Sequence, residues 1–477
     1  MIFRPWKRPS STLIAALLLC SATSLASADS GVTDSTLTNG LHVVVVQNHA
    51  VPLVAIDAWV RAGVSRQQPG QRGVAHYLEH LIFKGTTSRP NEAAIDGAIE
   101  DLGGQLNGTT SYDWAHFYAV VPAANFGVAL NVLSDVLQHS VINAKNVDAE
   151  RPVILNEVAR AQDSSGQLMS LELRRMAYGP NHPYGGAITG TPSDVQAVTR
   201  DQIDAFYKTY YVPNNTTIVV SGDVAPDTVK QAVAKELGAW TFSTDLPTQA
   251  EIAPIKAPGI QRSVIRRSAS ESYMTLSFFA PSVKEQPEVW ANDVLLTLLG
   301  QGGNNRLDSA LKDDMKIVTE ATSDFLTQRY QGLFTVTCTF PSGNPDQVES
   351  AIIAEVKRLR DQKVSDKELD AAKQSLISSY LFEVQTNAGK ADALGFYDMI
   401  DSFKYDVDYV DHIRSVTVDD IWRVAQRYLT PDAYNVVTVI PYSEPSYAAV
   451  PTSNTNQRAS TILASVESTA NGSGAAH

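Results

Sequence analysis

His76, Glu79 and His80 fall within five positions of one another, in the stretch Gly73-Val-Ala-His-Tyr-Leu-Glu-His-Leu-Ile-Phe-Lys-Gly85. Val74, Leu78, Leu81 and Ile82 recur at helical spacing, which predicts an amphipathic helix closing near Gly85. Residues four apart share a helical face, so the two imidazoles would lie one turn apart with Glu79 between them. Two imidazoles so placed can hold one Zn2+ at about 2.0–2.1 Å each. The metal would bring the pKa of a bound water to roughly 7, and a neighbouring carboxylate could take its proton. The order His-x-x-Glu-His inverts the commoner zinc-protease pattern. The bland alternative is a helix with two surface histidines and a chance glutamate. Three ionisable residues packed beside an apolar stripe weigh against it.

A catalytic zinc keeps three protein ligands and one open position, so a third ligand is required. Glu92, Asp96, Glu100, Asp101, Glu150 and Glu157 are the nearest downstream carboxylates, and spacing does not choose among them. Glu150 and Glu157 are seven apart and so share a helical face. Pro152 suits a helix that begins or bends close to it.

The elements that must position these residues follow from pattern. Leu41–Gln47 and Leu53–Val60 read as strands after the turn signal Asn39-Gly40. A helix over 93–102 ends at Gly103-Gly104, and strands follow over 105–110 and 116–121. Helices are expected over 126–137, around 150–160 and over 201–211, the last with Thr199 as N-cap. A strand over 216–220 closes the first half. The proline-bearing, aperiodic stretch 246–258 reads as the connection between halves. The second half repeats the first: Val198 to Pro213 and the strand after it match Val416 to Pro431 and its strand at a constant offset of 218. Around that match, strands at 274–279 and 333–340 and helices at 289–299, 348–359 and 366–381 keep the same order. The helix equivalent to the His-x-x-Glu-His segment reads Trp290-Ala-Asn-Asp-Val-Leu-Leu-Thr-Leu-Leu299, without the motif. The domain expectation is therefore a signal peptide over 1–28, a metal-bearing domain over 29–245, a linker over 246–262, a metal-free counterpart over 263–442, and a tail over 443–477 whose Ser-, Ala- and Thr-rich composition predicts disorder.

Of the 477 residues, 44% are hydrophobic and 19% charged, which suits a globular protein with sizeable cores. Arg4, Lys7 and Arg8, the short apolar run 13–19 and Ala26-Ser-Ala28 have the form of a secretory signal, with Asp29 as the first mature residue. The apolar run is too short for a retained membrane anchor. Leu19 before Cys20 does not fit lipidation. The expected address is the periplasm of a Gram-negative bacterium. Removing three basic and no acidic residues takes the formal charge from −13 to −16, which argues against a nucleic-acid partner. Cys338 would then be the one remaining cysteine, in a buried strand, so stability must come from core burial.

Taken together, these segments resemble the pitrilysin/insulinase family of zinc metallopeptidases, in the size class of the bacterial two-domain members and the mitochondrial processing peptidase subunits. The resemblance runs through Gly73–His80, Phe83-Lys-Gly-Thr86, Leu102-Gly-Gly-Gln-Leu-Asn107, Glu150–Glu157, His182-Pro-Tyr184 and Gly190-Thr191, and covers about 35–442. It implies an α+β fold of two homologous halves, each an antiparallel sheet packed with helices, facing each other across a chamber that admits peptides or unfolded segments. It implies one zinc per chain on His76, His80 and Glu157, with Glu79 as general base and Glu150 as a carboxylate that supports the ligands. It implies that Asn107 and Gly108 meet the substrate backbone on an edge strand that accepts the peptide as an extra strand. Gly108, Ala115 and Phe117 depart from the family's usual Ala, Thr and Tyr. A larger departure lies in the second half. Complete members carry an Arg and, seven residues on, a Tyr after a glycine-rich turn, where this chain has Lys312 and Thr319. Lys lacks the bidentate fork, and Thr lacks the reach of a phenol. The expected activity is hydrolysis of peptides by a secreted zinc endopeptidase. The missing Arg/Tyr pair is expected from a related, metal-free second subunit, with Lys312 as the competing donor. The reading from another class is a non-catalytic structural subunit of the same fold.

Overall fold

The computed structural model describes residues 31–442 apart from 304 and 342, so the signal and tail expectations lie outside the described residues. The first half runs β1 (Val32–Thr36), β2 (His42–Gln47), β3 (Leu53–Val60), α1 (Val74–Ile82), α2 (Glu92–Glu100), β4 (Gln105–Thr110), β5 (Ala115–Pro122), α3 (Phe126–His139), α4 (Ala144–Asp163), α5 (Ser165–Tyr178), α6 (Pro192–Ala197), α7 (Arg200–Tyr210), β6 (Thr216–Gly222) and α8 (Pro226–Leu237). The second runs β7 (Gln261–Arg267), β8 (Ser272–Ala280), α9 (Gln286–Gly300), β9 (Glu320–Phe325), β10 (Gly332–Phe340), α10 (Pro345–Asp361), α11 (Asp366–Glu383), α12 (Asn387–Ile400), α13 (Lys404–Val407), α14 (Tyr409–Ser415), α15 (Val418–Tyr428) and β11 (Asn435–Pro441). Gln261 and Arg262, which the sequence assigned to the linker, already belong to β7. Among the described residues no helix is long and apolar enough to cross a membrane.

The strands form two sheets, ordered β1-β2-β6-β3-β5-β4 and β7-β11-β8-β10-β9. They are antiparallel with one correction each: β2 runs parallel to β6, and β7 runs parallel to β11. β4 and β9 are the corresponding edge strands of the two sheets. The duplication extends to caps. Thr199 with Gln202 and Thr417 with Asp420 close matching capping boxes on α7 and α15, satisfying the first N–H groups of each helix.

Each sheet buries one face under its own helices. In the first, Val43, Val45, Val54, Ile56 and Ala58 pack with Leu78, Leu81, Leu130 and Leu133. In the second, Met274, Leu276, Phe334 and Val336 pack with Val294, Leu295 and Ile352. The other face of each sheet is covered by a helix from the opposite half, which the sequence did not foretell. α12 lies on β3 and β6, where Ala391, Leu394 and Met399 meet Val44, Ala55, Trp59 and Val219. α5 lies on β8 and β11, where Met169 and Leu173 meet Val437 and Val439. Gly395 makes the first contact possible: a Cβ there would stand 2.0 Å from the indole nitrogen of Trp59. Asp398 of α12 also accepts from Thr217 at 2.7 Å and from Arg61 at 3.2 Å, and pairs with His42 at 3.1 Å. Burial would raise this carboxyl, but His42, Arg61 and Thr217 hold it below its ordinary value.

Candidate metal centre

α1 has two unlike faces. Val74, Ala75, Tyr77, Leu78, Leu81 and Ile82 are buried, which leaves His76, Glu79 and His80 together on the remaining face. Gly73 starts the helix with φ +93°, where a Cβ would stand 2.7 Å from the Thr189 carbonyl. α4 crosses α1, and Tyr77 Oη donates to the Val147 carbonyl to fix the crossing. Asn143 caps α4 by accepting from the Asn146 N–H. Pro152 stands inside α4 and not near its start, so the Asp148 carbonyl has no donor at that position.

The crossing brings Glu157 over both histidines. Its Oε2 lies 3.6 Å from His76 Nε2 and 3.4 Å from His80 Nε2. Ligands held tetrahedrally at about 2.0–2.2 Å are separated by roughly 3.3–3.5 Å, so these spacings suit one zinc. The opposite nitrogen of His80, Nδ1, lies 3.3 Å from Glu150 Oε2. With Glu150 on the Nδ1 edge, His80 presents Nε2 to the Glu157 carboxylate oxygen. His76, His80 and Glu157 thus offer three donor atoms close enough together to hold one cation. Burial, with a smaller push from His80, takes His76 down to about 3, so this imidazole is neutral at pH 7. Burial raises the Glu79 carboxyl above its ordinary value, while Thr110 and His80 work the other way. A carboxyl so placed is better matched to proton acceptance near neutral pH than an exposed one.

Glu157 and Glu150 therefore stand apart from the other downstream carboxylates. Glu92 pairs with Lys84, Asp96 and Glu100 line a cavity of about 340 Å³ along β4 with Asn107 and Tyr118, and Asp101 caps the end of α2. Asn107 is exposed on β4, whose outer edge carries no partner strand among the described residues. Its Nδ2 donates to Tyr118 Oη at 3.4 Å. Gly108 turns inward, where a Cβ would meet the Phe117 ring at 2.8 Å and Phe83 at 3.2 Å. The Phe117 ring thus occupies the room a methyl at Gly108 would need.

A second group, Asp57, His116 and Asp392, is a different object. Asp57 meets Nε2 of His116 at 3.1 Å and Asp392 meets Nδ1 at 3.6 Å, so the two carboxylates take opposite nitrogens of one ring. Trp59 stacks on that ring at 3.7 Å. The ring thereby joins β3 and β5 to α12. Sequence spacing gave no sign of this cluster, whose members come from three separate elements.

Lys312 and Thr319 lie in the second half. Lys312 lines a cavity of about 490 Å³ with Gln301, Asp308, Glu320 and Ser379, to which the first half contributes no residue. Thr319 bonds the Thr339 carbonyl at 3.1 Å. Among the described residues neither contacts the histidine–glutamate cluster.

The chain matches the family model "Insulinase (Peptidase family M16)" over residues 42–191, and "Peptidase M16 inactive domain" over 197–376. It is similar to a probable mitochondrial-processing peptidase subunit beta of Arabidopsis thaliana, 30% identical over 373 residues that cover 76% of this chain and 69% of the relative. It is also similar to the zinc protease PqqE of Helicobacter pylori, at 25% over 402 residues, 82% of this chain and 89% of the relative. Among solved structures, a protease from Helicobacter pylori shares the fold with a TM-score of 0.80 at 24% identity, over 86% of this chain and 99% of that one.

Proposed function

Because the chain belongs to the insulinase family of zinc peptidases, M16, we propose that it is a secreted zinc endopeptidase that hydrolyses peptides or unfolded segments, with His76, His80 and Glu157 as the metal ligands. The observation that carries this reading is the convergence of two imidazole Nε2 atoms and one carboxylate oxygen at 3.4 and 3.6 Å, a donor set with the spacing of zinc ligands. The inactive-domain match lies mostly on the half without the motif, which agrees with chemistry confined to the first half.

Bound zinc supplies a water acidified to about pKa 7 and an electrophile for the scissile carbonyl. The chain's own residues do the rest. Glu79, next to His80 and raised by burial, accepts the water's proton and returns it to the leaving amine as the C–N bond breaks. Glu150 holds His80 by Nδ1 and so keeps Nε2 turned to the metal side. The open edge of β4 takes the peptide as an added strand, with Asn107 and Gly108 against its backbone. The Asp96 and Glu100 cavity lies along the same edge.

The reading includes an incomplete site. Lys312 sits in a cavity built by the second half alone and Thr319 is bonded to the Thr339 carbonyl, so we assign the missing carbonyl donors to a related metal-free chain. The Arabidopsis relative's own name describes it as a subunit. The reading also includes an address: residues 1–28 as a cleaved signal and the periplasm of a Gram-negative host as destination. N-terminal sequencing of periplasmic protein should give Asp29; a start at Met1 or Cys20 would overturn that part. The test of the activity is peptide hydrolysis by the purified chain together with its metal content. We expect about one zinc per chain, hydrolysis lost on chelation and regained with zinc. A folded chain that binds no zinc contradicts the proposal.

A further inference from the structure

Lys84 follows α1 by two residues and is not a ligand in any reading above. Its ammonium lies 2.8 Å from Glu150 Oε1 and 2.8 Å from Glu92 Oε1. Glu150 is itself 10% exposed at the side chain, and its second oxygen faces His80 Nδ1 at 3.3 Å. Glu92, Lys84, Glu150 and His80 thus form one continuous line of charge-assisted contacts, entering from the exposed start of α2 and ending at the imidazole. A carboxylate this buried is costly unless paired. Lys84 is the cation that pairs it, and Glu150 takes part in no other ion pair with Lys or Arg among the described residues.

We propose that Lys84 is a positioning residue of the metal centre, holding Glu150 so that one oxygen is fixed on the ammonium and the other on His80 Nδ1. This rests on the zinc reading above. Two effects oppose each other. The positive charge draws electron density from Glu150 and would make His80 a slightly poorer ligand. The same ammonium also stops the carboxylate from turning away, and losing a partner outside the ligand set costs metal sites about 10–100-fold in affinity. An imidazole with two available orientations binds less well than one held in place, so the positioning effect should dominate.

The test is zinc affinity of the full chain, measured by competition with a chromophoric chelator, in four variants. Lys84→Met should weaken zinc about tenfold. Lys84→Arg, which keeps the charge, should stay near the native affinity. Glu150→Gln should weaken zinc by a similar factor, and Lys84→Met added to Glu150→Gln should cost less than about twofold more, because Lys84 acts through Glu150. Equal tenfold losses in both backgrounds, or unchanged or tighter binding by Lys84→Met, would overturn the proposal while leaving the zinc reading intact. If Lys84→Met does not fold, Lys84→Gln takes its place under the same two outcomes. A native chain that binds no zinc would instead remove the reading beneath it, and the proposal with it.

Discussion

α1 and α9 occupy equivalent places in the two halves. Each lies beside an edge strand, β4 or β9, and beneath a long helix, α4 or α11. They are built differently. α1 buries one stripe and leaves His76, Glu79 and His80 on a half-open face. α9 buries nearly everything from Val289 to Gly300, on all sides. The fold asks only that one stripe of the helix be apolar against its sheet, and both helices comply. What lies on the opposite face is free to differ. In the first half that face carries His76, Glu79 and His80, and in the second it carries Asn292, Asp293 and more apolar packing.

The largest effect should separate the halves outright. His76→Ala, His80→Ala or Glu157→Ala should each lose zinc and reduce peptide hydrolysis to background, while Lys312→Ala should leave zinc content unchanged, as elemental analysis would show. Loss of zinc on changing Lys312 would break the comparison. A related metal-free chain that supplies the missing carbonyl donors should raise kcat by about 10²–10³ over the lone chain. High activity from the lone chain, abolished by Lys312→Ala, would give Lys312 that role and dispense with the partner.

The next effect concerns how the halves are joined. Trp59→Ala should cost about 3–5 kcal/mol of stability, because a fully buried indole between β3 and α12 leaves a cavity. Gly395→Val should cost about 1–3 kcal/mol by forcing that indole away. Denaturant melts would report both. Equal loss of zinc affinity would show that the metal face and the joining face are not independent.

The smallest effect is the pH dependence that one buried carboxyl of the second half contributes. Burial raises Asp293 to about 7, and Tyr409 Oη donates to it at 3.0 Å. The unfolded chain releases this proton near pH 4, whereas the folded chain keeps it until about 7. The folded state therefore binds this extra proton between those values, and the contribution of Asp293 to stability should fall as pH rises from about 4 to about 7. Asp293→Asn should flatten that slope by an amount on the order of 1–3 kcal/mol, measurable by melts at stepped pH.

Much of this was legible in the sequence. The motif placed three side chains on one face because helical geometry leaves no alternative, and the repeat at an offset of 218 announced two like halves. The third ligand was not legible from spacing, since Glu157 meets His76 and His80 only through the crossing of α4 over α1. Lys84 lay in view within the motif, but its pairing with Glu150 needs the same crossing. β1 escaped notice because its residues mostly face solvent, and only backbone pairing with β2 makes it a strand. α12 escaped for a related reason. Gly389 and Gly395 weaken its local helix signal, and packing on the other half's sheet supplies what propensity does not.

The claim at the centre is that the first half carries a complete metal-and-base pair, with Glu79 serving the proton and not the metal. The direct test is Glu79→Gln in the full chain, assayed for zinc content and peptide hydrolysis in one preparation. Loss of the carboxylate should leave about one zinc per chain and lower kcat by about 10²–10⁴. A Glu79→Gln chain that holds zinc and hydrolyses peptide at the native rate would contradict the account.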